Sequence, residues 1–181
     1  CSSDLAATLN DLGISSDATA TDTITVNLWS VANATANSAN ATPDYSQKVI
    51  LHTDGTASVQ FPSATIGNSY YIAIKHRNSV ETWSAAPVAI SSTTSYDFST
   101  GLSQAYGDGV NDPMKQVGLG VYAIYGGDVN QDGTIDILDL TQAENDASAF
   151  SYGYNASDCN GEGVTDIVDL SLIENNGALL D

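Results

Sequence analysis

The sequence predicts a mostly β chain: a β-sandwich over residues 1–125, then a small α-helical unit over residues 126–181. Three observations predict it. The first part holds six or seven short segments of alternating apolar and polar residues. Turn signals separate them at intervals of roughly 8–12 residues, the spacing of a sandwich. In the last third, acidic turns are followed by helix-like runs. Those turn-and-helix units repeat in register thirty residues apart, an internal duplication.

The elements follow in chain order. Asp4–Asn10 reads as a short helix, with Leu5, Leu9 and Leu12 on one face and Gly13 as its stop. Thr23–Trp29 alternates as a strand. Residues 31–44 are low in complexity, small and polar; they cannot bury a core and are expected as an exposed loop. Lys48–His52 and Ala57–Phe61 flank Thr53-Asp-Gly-Thr56, a hairpin turn. Tyr70–Lys75, Thr82–Ile90, Ser95–Phe98 and Gly118–Tyr125 complete the strands.

Two stretches carry the chemistry. Asp128-Val-Asn-Gln-Asp-Gly-Thr-Ile-Asp-Ile-Leu-Asp139 is matched by Asp158-Cys-Asn-Gly-Glu-Gly-Val-Thr-Asp-Ile-Val-Asp169. Each places oxygen-bearing side chains at positions 1, 3, 5, 9 and 12 of a twelve-residue loop, with Gly at position 6. This is the EF-hand calcium pattern, with Asp for the usual Glu at position 12. Calcium takes about six to eight hard oxygens, so the chain must wrap the ion. The first loop offers Asp128, Asn130, Asp132, the carbonyl of Thr134, Asp136 and the closing Asp139. The second offers Asp158, Asn160, Glu162, the carbonyl of Val164, Asp166 and Asp169. Two calcium ions are expected. The register runs on through Leu140/Leu170, Thr141/Ser171 and Glu144-Asn145/Glu174-Asn175. Tyr122–Gly127 reads as strand and turn, so no helix enters the first loop.

This loop–helix duplication resembles the dockerin domain, the calcium-dependent docking module of secreted bacterial proteins. In cellulosomal dockerins, positions 10 and 11 are small hydroxyl residues that meet the cohesin partner. Here they are Ile137-Leu138 and Ile167-Val168, which implies a drier contact. The segments Thr23–Trp29, Thr53–Pro62, Gly67–Ser84 and Val121–Asn130 are similar to a C-terminal module of large secreted Bacteroidota proteins, often exported by type IX secretion. The strand pattern is also similar to prealbumin-like bacterial surface modules. Family members often carry an extra strand before the segment equivalent to Leu5–Gly13. The resemblance therefore implies a partial chain, or a strand supplied from elsewhere.

Composition narrows the function classes. There are 22 acidic and 4 basic residues, a net charge of −18, and residues 127–181 contain no Lys or Arg. Nucleic acid and anionic membranes are poor partners for such a chain. No apolar run is long enough to span a bilayer. There is no initiator Met or leader, as in a processed or partial chain. Few Lys and Arg beside abundant Ser, Thr, Asn and Ala suit a secreted protein of the bacterial surface. Cys1 and Cys159 allow a disulfide, while Cys1 also allows a lipidated first residue.

Glycosylation patterns occur at Asn33, Asn40 and Asn155. Asp22-Thr23-Ile24 is similar to a Bacteroidota O-glycosylation motif. No catalytic set assembles: there are two histidines, no nucleophile elbow and no Glu pair. His76 is expected in a hydrogen-bonded structural role. Two readings remain. One is a non-catalytic structural and docking module of a bacterial surface assembly or filament, joined to a protein partner or to itself through the dockerin-like unit or an open sheet edge. The other is a carbohydrate-binding accessory module of a secreted glycoside hydrolase or adhesin, using Trp29, Trp83, Tyr70 and Tyr71 on a glycan.

Overall fold

A computed structural model describes residues 2–35, 41–107 and 109–179. Helix α1 (Ser2–Asp11) lays Leu5, Ala6 and Leu9 against strand β1 (Ala20–Trp29), as its apolar spacing requires. A one-turn helix, α2 (Val31–Thr35), interrupts the segment expected as loop. Strands β2 (Tyr45–His52), β3 (Ser69–His76), β4 (Ser79–Trp83) and β5 (Val88–Ala89) follow. Their antiparallel order is β2-β1-β3-β4, with β5 also on β3. Ile24, Val26 and Leu28 alternate along β1 and are buried, so that face carries the core. A separate ribbon pairs β6 (Lys115–Gly118) with β7 (Val121–Ala123). The chain ends in α3 (Ile137–Ser148) and α4 (Ile167–Gly177).

The strands expected at Thr23–Trp29, Lys48–His52 and Tyr70–Lys75 form and pair antiparallel, and the described strands make one sheet and a ribbon. Several boundaries are corrected. Ala57–Phe61 does not return as a strand; only Ala57 bridges Leu51. Residues 57–60 are exposed and Pro62 offers no N–H, so a ladder there has little to bury and one donor fewer. Phe61 packs edge-on against Tyr45 instead. Thr82–Ile90 is split by a bend at residues 85–86, just after Ser84, whose hydroxyl accepts the Ile72 N–H at 2.9 Å and donates to the Ala86 carbonyl. Ser95–Phe98 is irregular and leads into a single 3₁₀ turn capped by Asp97. Gly118–Tyr125 is part of a tight hairpin rather than one strand.

The second core draws residues from both sides of position 126. Val129, Ile135, Ala143 and Ile173 cluster with Tyr125, and Val80 of β4 packs on the group. Asn176 of α4 donates to the Gly126 carbonyl and accepts from Lys115. At the opposite end a buried polar network crosses the same boundary. Asp22 accepts hydrogen bonds from His76 Nε2 at 2.7 Å, from Arg77 Nε at 2.9 Å and from the Tyr154 hydroxyl. Arg77 also donates to the Asn155 carbonyl and lies over the Tyr154 ring. His76 thus has its structural role.

Burial alone would raise the Asp22 pKa, but the bond and charge of His76, the Tyr154 hydroxyl and Arg77 hold it at about 2. A folded-state pKa below the ordinary 3.8 gives stability that is present above about pH 4 and lost as pH falls towards 2. The contribution is roughly 2 kcal/mol. Acid titration of the sheet, followed by tryptophan fluorescence, is expected to show a shallower loss between pH 4 and 2 in Asp22→Asn than in the wild type.

Candidate metal centre

Each loop is shaped by its own backbone donors. Asp128 is buried; its Oδ1 accepts from Asp132 N and its Oδ2 from Gly133 N, at 3.1 and 3.2 Å. Gly133 has φ +95°, a conformation that favours glycine, so the turn at position 6 is enforced. Asn130 Oδ1 accepts from Asp132 N. Asp136 caps α3 by accepting from Leu138 N at 2.7 Å. Asp139 reaches back: its Oδ2 accepts from Asp136 N, and its Oδ1 from Val129 N and Asn130 N. The closing residue of the loop is therefore also the acid of a helix capping box.

The second loop repeats this. Asp158 accepts from Gly161, Glu162 and Gly163 N–H groups, Asp166 caps α4, and Asp169 accepts from Cys159, Asn160 and Asp166. Tyr152 and Val164 form a bridge in which Gly153 N donates to Gly163 O and Thr165 N to Ser151 O. That pattern turns the Val164 carbonyl away from the partner segment, where it is free for a ligand role.

The loops differ at the rim. Carboxylate oxygens of Glu162, Asp166 and Asp169 lie within 4.8 Å of one another, the one such group of three among the described residues. In the first loop the Thr134 hydroxyl donates to Asp132 at 2.7 Å and Asn130 Nδ2 to its other oxygen, which holds Asp132 aside. Val164 has no hydroxyl, so Glu162 is not held that way. From sequence, Thr134 had only a backbone role; its side chain is a second one.

The donor set suits a hard cation. Asp128, Asp139, Asp158 and Asp169 are all buried, and buried charges need a counter-charge. Burial pushes the Asp128 carboxyl up, and the charges of Asp139 and Asp132 add to this. Burial raises Asp158 as well, while Gly163 and Gly161 N–H groups and the Arg77 charge oppose it. The twelve residues expected from sequence fall into two sets, each arranged along its own loop. One calcium per loop would supply the missing positive charge, with oxygen donors from that loop's six residues.

Other expectations fall away from the centre. Cys159 carries a free thiol on the second core, pushed up to about 12 by burial and neighbouring carboxylates. Cys1 and Asn40 lie outside the described residues. Asn155 spends its side chain on Asp158 N, Thr165 and Gly153, and Asp22 is buried in its network. Trp29 and Trp83 pack on each other at 5.2 Å, Tyr71 on Trp83, and Tyr70 is buried against Tyr45. These four rings form no flat exposed platform for a sugar.

Sequence reasoning missed Asn78 and Gln131. Asn78 donates to the carbonyls of Ala156 and Asp158, and Gln131 to that of Asp128. A lone amide at a turn leaves no pattern to read. No curated protein and no solved structure matches the chain. Residues 126–176 match the family model of the Dockerin type I domain, and this segment is dockerin-like.

Proposed function

We propose that the chain is a non-catalytic, calcium-binding docking unit of an extracellular assembly on a bacterial surface, of the secreted Bacteroidota kind. A dockerin domain is a non-catalytic module that binds calcium and docks onto a protein partner. One observation carries the reading here. Ile137, Leu138, Ile167 and Val168 open the two helices and are 66%, 59%, 69% and 50% exposed. Capping boxes built on the calcium loops fix their positions, so the ions present the contact residues. Exposed branched apolar pairs at the starts of both helices are the residues such contacts use. The sheet with its ribbon serves as a reduced sandwich that carries the unit. Strand β2 ends the sheet, and its outer edge offers a second route to self-assembly into a filament.

The test is sedimentation of the purified chain in calcium beside Leu138→Asp and Val168→Asp. The wild type is expected above monomer mass, with each variant shifted to monomer at unchanged calcium stoichiometry. Monomers throughout reject self-assembly; assemblies indifferent to both variants reject this face.

A further inference from the structure

The two loops solve one local problem in different ways. In each, the backbone carbonyl of position 1 accepts from a side-chain amide. In the first loop the donor is its own position 4: Gln131 Nε2 bonds Asp128 O at 2.9 Å. Gln131 holds φ +63° to do so. Thirty residues on, position 4 is Gly161, which has no side chain. The donor there is Asn78 of the β3–β4 turn, whose Nδ2 bonds Asp158 O at 3.2 Å and Ala156 O at 3.0 Å. Asn78 is 2% exposed, so no water replaces it cheaply.

Other contacts fall on the same loop. Arg77 holds the Asn155 carbonyl, and Asn155 Oδ1 accepts from Asp158 N. A Cβ on Gly163 would meet Thr8 of α1 at 2.9 Å, whereas one on Gly133 meets nothing within 4 Å. The second loop is roofed by Thr8 and braced by Arg77 and Asn78; the first touches the sheet through Gln131, which supplies the amide itself and also donates to Ser79 O at 3.3 Å.

We propose that Asn78 is a positioning residue of the second calcium site: the sheet supplies, across the chain, the amide that the first loop carries itself. The second site is then complete only when the sheet is folded, while the first is complete within the dockerin-like segment. This rests on the calcium reading above. The Gly127 N–H bonds the Asn78 backbone carbonyl, so Asn78→Ala removes only the side-chain amide.

Calcium titration of the full chain in two reporter backgrounds tests it. Asp139→Ala isolates the second loop and Asp169→Ala the first. Adding Asn78→Ala is expected to weaken the second loop about tenfold or more, the usual effect of losing a residue that orients a ligand. The first loop should change less than about twofold, against that same scale. Trp29 and Trp83 both lie in the sheet, so their fluorescence verifies that it remains folded. Equal affinities with and without Asn78→Ala overturn the proposal, as does a parallel loss at both loops. A reporter background that binds no calcium at all, without Asn78→Ala, overturns the calcium reading of that loop instead.

Discussion

Chelating calcium will unfold residues 126–181 and lower the melting temperature of the whole chain. The four aspartates buried in the loops have no Lys or Arg anywhere in that segment to offset them. Without a cation they repel one another where water screens poorly. An ion at about 100 times its Kd adds roughly 2.7 kcal/mol by mass action, so two add about 5. That rivals the entire net stability of a small domain, about 5–15 kcal/mol. The effect reaches the sheet because Val80 and Tyr125 share the second core. Calorimetry in calcium and in excess chelator is the measurement. Superimposable traces would refute calcium dependence, and a stoichiometry of one ion would limit it to one loop.

Asp139→Ala and Asp169→Ala are each expected to cost one bound ion and, in calcium, about 3 kcal/mol or more of stability. Each carboxylate accepts from three backbone N–H groups and closes a capping box. Unpartnered buried donors cost about 1–3 kcal/mol apiece. Helix start and ion are lost together, because one side chain holds both. Thr134→Ala is the control: it frees Asp132 but keeps the backbone carbonyl, for a change in affinity below about tenfold. Comparable damage from Thr134→Ala would show that the loop register is wrong.

Local chemistry was legible in the sequence; the joins between segments were not. Gly133, Asp136 and Asp139 act within a few residues of one another, so spacing alone placed the loop and the helix that follows it. Strand β1 alternates over a buried face, and β3 is rich in aromatic and β-branched residues, so both were found from local signals. Ala57–Phe61 has the right composition for a strand, but after the turn there is nothing for it to cover. The contacts that cross residue 126 were not legible, because they are long-range. Asn78 meets Asp158, and Asp22 meets Tyr154, through single hydrogen bonds with no period or motif. Gly161 was read as a loop residue; only the comparison with Gln131 in space reveals what it lacks.

The last cation of the chain, Lys115, is held by Asn176 of the final helix. Beyond it there is no peptide bond that a trypsin-like protease can cut. Both loops therefore lie in a stretch that such enzymes cannot nick, folded or not. Proteases that cleave after aromatic or aliphatic residues face the opposite case: Phe150, Tyr152, Ile137, Leu138, Ile167 and Val168 are exposed. Persistence in a proteolytic medium will depend on which class of protease is present, and on whether a partner has covered that face.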